Sequence, residues 1–163
     1  MPEILPESAG PVNKPAMQIT NLTVLEDQLW TSGQPTRAQL AELARLGFEL
    51  VINLALPTSD NAIADEADLV RSLGMTYLHI PVVWESPQPE DLARFMDAMD
   101  ARQGRRTLVH CALNYRASAF TALWRVLRQG WPQAEAFAVQ KTVWNLADYP
   151  VWQAFVVDRL AGR

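Results

Sequence analysis

Three short apolar runs constrain the fold more than any other feature of the chain: FELVINL at 48–54, MTYLHIPVV at 75–83 and RTLVH at 106–110. Each is compact and reads as a buried strand. Segments with apolar residues at helical spacing separate them. Leu40, Leu43, Ala44 and Leu46 share one face before Gly47, and Ala67, Val70 and Leu73 share another before Gly74. Leu92, Phe95, Met96 and Met99 do the same after Pro89, a residue suited to the first turn of a helix. Thr36 and Gln39 have the spacing of a capping box. Residues 22–30 predict a short strand pair turning at Glu26-Asp27; a long helix is expected over 115–129, closed by Gly130, and two more over 132–142 and 148–161. Repeated strand–helix units predict an α/β layer fold: a mostly parallel central sheet of four to five strands, flanked by helices, with right-handed crossovers. The run 106–110 is expected inside that sheet, and in such folds a site lies beyond the C-terminal ends of the strands.

Residues 18–163 read as one domain, large enough to bury a proper core. Residues 1–17 carry four prolines and little to bury, and are expected to form a flexible arm. They contain no apolar core fit for a signal peptide, and no run in the chain approaches the ~20 apolar residues of a membrane helix. The net charge of −4 argues against nucleic acid as a partner, yet one local arginine can still hold a small anion. A single cysteine excludes an intramolecular disulfide and suits a reducing compartment, so a cytoplasmic location is expected. Two histidines and that cysteine do not make metal-ligand spacing, and neither metal nor cofactor is expected. The six tryptophans are expected in the core or in pocket walls.

Cys111 stands at the end of the third run, inside HCALNYRAS (110–118). A lone cysteine in an apolar setting is commonly core filler, and a lone histidine at a strand end is commonly structural. The joint arrangement points to chemistry: a strand, His110-Cys111, a short loop, Arg116, the hydroxyl of Ser118, then a helix. The free N–H groups and dipole of a helix start favour an anion. Arg116 adds a permanent cation on the same turn, and His110 and Ser118 offer hydrogen bonds. All of these favour the thiolate, which is the nucleophilic form. A concave turn of amides with a planar arginine also fits a tetrahedral oxyanion.

LVHCALNYRAS resembles the signature loop of the protein tyrosine phosphatase superfamily, H-C-x5-R-S/T. LWTSGQPTRAQLAELARLGFELVINL and YLHIPV resemble small bacterial phosphatase-like proteins of the dual-specificity branch, and the resemblance spans about residues 20–130. It implies a single-domain, phosphatase-like three-layer fold and hydrolysis of phosphate monoesters through a cysteinyl-phosphate intermediate. The substrate so implied is a small anion or a phosphoprotein. By that resemblance Cys111 is the nucleophile, and the amides of Ala112, Leu113, Asn114, Tyr115 and Arg116, with the Arg116 side chain, bind phosphate. His110 and Ser118 assist. The family draws its acid from a loop that here reads PVVWESPQPED (81–91), without an aspartate directly after the strand. Glu85 and Asp91 are the candidates, and Asp60 in the earlier loop is a third. Glu90 and Asp91 also suit a helix start. Gln34, in the SGQP turn, is a further residue able to line the site.

Only four residues separate Cys111 from Arg116, one fewer than in the superfamily pattern. Laid without a gap, Asn114 falls on the pattern's glycine. That exchange is mild, because Asn is the side-chain-bearing residue that most readily takes left-handed backbone. Arg116 then comes one residue early, a rotation of about 100° on the helix. Laid with a gap, the loop is C-x-x-N-x-R and resembles the C-x4-R loop of rhodanese-like sulfurtransferases, which implies a persulfide on Cys111 and no need of an acid. A non-catalytic, phosphate-binding pseudophosphatase is the third reading, and at the level of sequence all three stay open.

Overall fold

Five short strands form one sheet in the order β1-β2-β5-β3-β4: β1 (Thr23–Glu26), β2 (Leu29–Ser32), β3 (Leu50–Asn53), β4 (Thr76–His79) and β5 (Thr107–His110). The structure is a computed structural model that describes residues 18–162, so the arm expected at 1–17 lies outside the described residues. β1 pairs antiparallel with β2 across Asp27 and Gln28, one residue beyond the expected turn, and every other pairing is parallel. The RTLVH run therefore sits at the centre of the sheet, between β2 and β3.

Alternation along the strands sends side chains to opposite faces. Leu29, Leu50, Ile52 and Val109 join a core with helices α3 (Pro89–Ala101), α4 (Tyr115–Gln129), α5 (Gln133–Lys141) and α6 (Pro150–Ala161). Trp30, Val51 and Leu108 face the other way, onto α1 (Arg37–Arg45) and α2 (Glu66–Ser72). The result is the expected three-layer α/β fold. The capping box forms as read: Gln39 N donates to Thr36 Oγ1 at 3.1 Å, and Thr36 N donates to Gln39 Oε1 at 2.9 Å. Pro89 occupies the first turn of α3. Gly130 ends α4 at φ 72°, a conformation a Cβ disfavours.

The MTYLHIPVV run departs from expectation. It is not a strand buried on both faces: β4 is the sheet edge, with Thr76 exposed and Tyr77, Leu78 and His79 only half-buried. An edge strand lacks one neighbour, and the deepest apolar residues of the run, Ile80 and Val82, lie beyond its end. No helix among the described residues is long and apolar enough to cross a membrane.

Two features position the site. The parallel register places Ser32, His110, Asn53 and His79, the last residues of their strands, side by side along one rim. α4, which starts at that rim, then runs through the core with every residue from Arg116 to Val126 buried. Phe120, fully buried on α4, lies 5.8 Å from Phe95 and 5.9 Å from Trp152, centroid to centroid. Phe120→Ala should lower the unfolding free energy by about 3–5 kcal/mol, measurable as a fall in the urea midpoint without a change in slope.

Candidate active site

Four residues, 111–114, join β5 to α4. A turn this tight needs one residue in left-handed backbone, and Asn114 supplies it at φ 72°, ψ 3°. Its side chain locks the conformation: Nδ2 donates to Asn21 O at 2.8 Å and to Thr31 Oγ1 at 3.1 Å.

The carbonyls of the loop are each engaged away from its hollow. Ala112 O accepts from Gln34 N at 3.0 Å and from Asn61 Nδ2 at 3.1 Å. Leu113 O accepts from Asn21 Nδ2 at 2.9 Å, and Cys111 O lies 3.1 Å from His110 Nδ1. Because the peptide is planar, a carbonyl turned outward carries the next N–H inward. The amides of residues 112, 113, 115 and 116 donate to no protein acceptor among the described residues. They are the material of an anion cradle.

Beside this loop lies a cleft of about 250 Å³ lined by Trp84, Cys111, Ala112, Leu113, Tyr115, Arg116 and Tyr149. Cys111 is itself fully buried. Arg116, in the first turn of α4, is 7 % exposed; its Nη1 donates to Val82 O at 2.9 Å, and its Nε has no partner among the described residues. The cleft wall is aromatic. Tyr115 stacks on Trp144 at 4.8 Å, Trp84 packs 5.3 Å from Tyr149 and 5.4 Å from Trp152, and Trp152 Nε1 donates to Trp84 O at 2.8 Å.

Behind the cysteine stands a buried pair that sequence reasoning missed. His110 Nε2 is 2.6 Å from Glu66 Oε2, and Glu66 Oε1 accepts from Gln34 Nε2 at 2.7 Å. Burial pushes the Glu66 carboxyl upward, but the hydrogen bond and charge of His110 and the hydrogen bond from Gln34 outweigh it and hold the carboxyl below its ordinary value. Nothing local signals this role, since a glutamate opening a helix reads as a favourable dipole contact at the surface. Gln34 lies behind the loop, against Glu66, and is not among the residues lining the cleft.

The remaining predicted residues are spread more widely. Glu85 is exposed and lines a neighbouring apolar hollow of about 160 Å³, with Trp84, Tyr149 and Val151. Asp91 sits on α3, its Oδ1 3.2 Å from Arg94 Nη1. Asp60 is exposed, next to Asn61. Ser118 Oγ donates to Tyr115 O at 3.1 Å and accepts from Trp144 Nε1 at 2.9 Å. None of these four lines the cleft. Among the described residues no group of three or more His, Cys, Asp or Glu is gathered as metal ligands would be.

A short amide-rich turn brings a cysteine and an arginine into one cleft at the carboxyl rim of a central parallel strand, a candidate oxyanion site on an α/β sheet. The family model described as DSP-PTPase phosphatase fused to NAD+ kinase matches residues 11–149, and the chain belongs to that family. A crystal structure of a DUF442 protein from Shewanella putrefaciens is similar at 40 % identity, with a TM-score of 0.83 over 91 % of this chain and 96 % of that one. P. aeruginosa TpbA has the same fold at 21 % identity, with a TM-score of 0.70 over 94 % of this chain and 98 % of TpbA. The beta-lactamase hydrolase-like protein of Xylella fastidiosa is 31 % identical over 107 residues, which are 63 % of this chain and 24 % of that protein. The chain thus spans about a quarter of the length of the curated relatives it matches.

The approach of the SGQP turn to the cysteine loop can be tested directly. A Cβ on Gly33 would lie 2.6 Å from Ala112 O, whereas one on Gly162 meets nothing nearer than 3.7 Å. Gly33→Ala should cost about 1–3 kcal/mol in a denaturant titration, and Gly162→Ala should be close to neutral in the same assay.

Proposed function

We propose that this chain hydrolyses phosphate monoesters through a cysteinyl-phosphate intermediate. The observation that carries the reading is the placement of Cys111 and Arg116 in one cleft, beside amides with no other acceptor. The Cys111 thiolate attacks phosphorus, the bond to the leaving oxygen breaks, and the phosphoryl group passes to sulfur. Arg116 and the amides of residues 112, 113, 115 and 116 hold the equatorial oxygens, where their charge and dipoles act most strongly because the walls are apolar. Water then attacks phosphorus, inorganic phosphate leaves, and the thiolate returns. His110 supports the loop from behind, and Ser118 braces the first turn of α4 against Trp144. Glu85, adjacent in the chain to the wall residue Trp84, is the proton donor for poor leaving groups in this scheme, and Asp91 is the second candidate.

One observation favours a second reading. No carboxylate lines the cleft among the described residues, and a sulfurtransferase that carries a persulfide on Cys111 needs none.

The purified chain should hydrolyse an aryl phosphate, and Cys111→Ser should reduce that activity to background because a hydroxyl is a far weaker nucleophile at neutral pH. Glu85→Gln should slow alkyl phosphates by about 10²–10⁴ while sparing aryl ones; the same comparison with Asp91→Asn ranks the two acids. Gain of one sulfur on Cys111 after exposure to thiosulfate, without aryl phosphate turnover, would replace the phosphatase reading by the sulfur one. Phosphate binding with neither activity would leave a pseudophosphatase.

A further inference from the structure

The pair formed by His110 and Glu66 is more than filling beneath the cysteine loop. His110 is fully buried and Glu66 is 3 % exposed, and ions this deep persist only when closely paired. A neutral imidazole has one donor nitrogen and one acceptor nitrogen. The two ring nitrogens of His110 both face oxygens that accept: Nε2 is 2.6 Å from the Glu66 carboxylate and Nδ1 is 3.1 Å from the carbonyl of Cys111. With Glu66 ionised, the form its lowered pKa favours, the doubly protonated ring is the one that satisfies both.

Gln34 completes the assembly from the other side. Its Nε2 holds the second Glu66 oxygen at 2.7 Å, and its backbone N donates to Ala112 O at 3.0 Å. Two successive loop carbonyls, those of Cys111 and Ala112, are therefore held by groups that meet at one carboxylate. We infer that Glu66 is a positioning residue for the anion cradle: it keeps His110 as a donor at both ring nitrogens, which holds the Cys111 carbonyl out of the cleft and stations a buried positive charge behind the cysteine. The inference rests on the oxyanion reading of the cleft.

Two further titratable groups that couple to Glu66 come from β4. Tyr77 is pushed up to about 12, chiefly by burial and further by the Glu66 charge, so it does not titrate in the working range. His79 shares with Glu66 a separate hollow of about 140 Å³, and its Nε2 lies 2.6 Å from Ala55 O. It is the group to control for.

The test uses the full chain and the variants Glu66→Gln and His79→Gln, with folding checked by circular dichroism and urea titration. Nitrogen-15 spectra of the wild-type ring near neutral pH should show two protonated nitrogens on His110. Glu66→Gln can donate to Nε2 in place of accepting, and should show one. Inorganic phosphate should bind Glu66→Gln about tenfold more weakly, the size of one charge-assisted hydrogen bond. Glu66→Asp, which restores charge with shorter reach, should recover part of the affinity, and His79→Gln should behave as wild type. A bare nitrogen on wild-type His110, or a Glu66→Gln protein that is folded with unchanged phosphate affinity, overturns the inference. Aryl phosphate turnover that survives Cys111→Ser would instead overturn the phosphatase reading, and the ring spectra would still decide the role of Glu66.

Discussion

Where the carbonyls of residues 111–113 point decides whether there is a site at all. A short turn between a strand and a helix can present either oxygens or N–H groups to the hollow it encloses, and buried oxygens need partners. Here the partners arrive from four places: the β5 residue His110, Gln34 after β2, Asn61 after β3 and Asn21 before β1. That supply follows from strand order. β5 lies between β2 and β3, so the loops leaving those two strands flank the cysteine loop. The sheet topology and the electrostatics of the cleft are in this sense one arrangement.

Local signals were the legible ones. The capping box at Thr36 and the stop at Gly130 depend on residues within a few positions of one another, and each could be read directly. The edge position of β4 could not, because apolar content does not say whether a strand has one neighbour or two. Glu66 was invisible for a related reason: it lies 44 positions before His110, and only the crossover through β4 and α3 brings them together. The aromatic wall shows the same limit. Six tryptophans predicted core or pocket residues, but not that Trp84 would meet Tyr149 across the mouth of the cleft.

The charge distribution gives the cleft a character opposite to that of the chain. The whole protein carries −4, while the groups around Cys111 are Arg116, the ring of His110 and a set of free amides, enclosed by Trp84, Tyr115 and Tyr149. Low surrounding polarity lengthens the reach of each of these. The Glu66 carboxylate behind the loop is engaged by His110 and Gln34 and does not line the cleft. An anion entering there meets attraction that the net charge conceals.

The burial of α4 from Arg116 to Val126 ties the length of the cysteine loop to the phase of the helix. Adding one residue between Cys111 and Arg116 would ask α4 to rotate by about 100° or slide by about 1.5 Å. A helix packed on all sides can do neither without unseating Phe120, Leu123 and Trp124 from the core. An inserted residue would have to bulge within the loop itself, where Asn114 and three outward carbonyls already fix the path. The four-residue spacing is therefore tied to the packing of the protein's interior. Lineages carrying it would change loop length only together with the packing of the helix beneath.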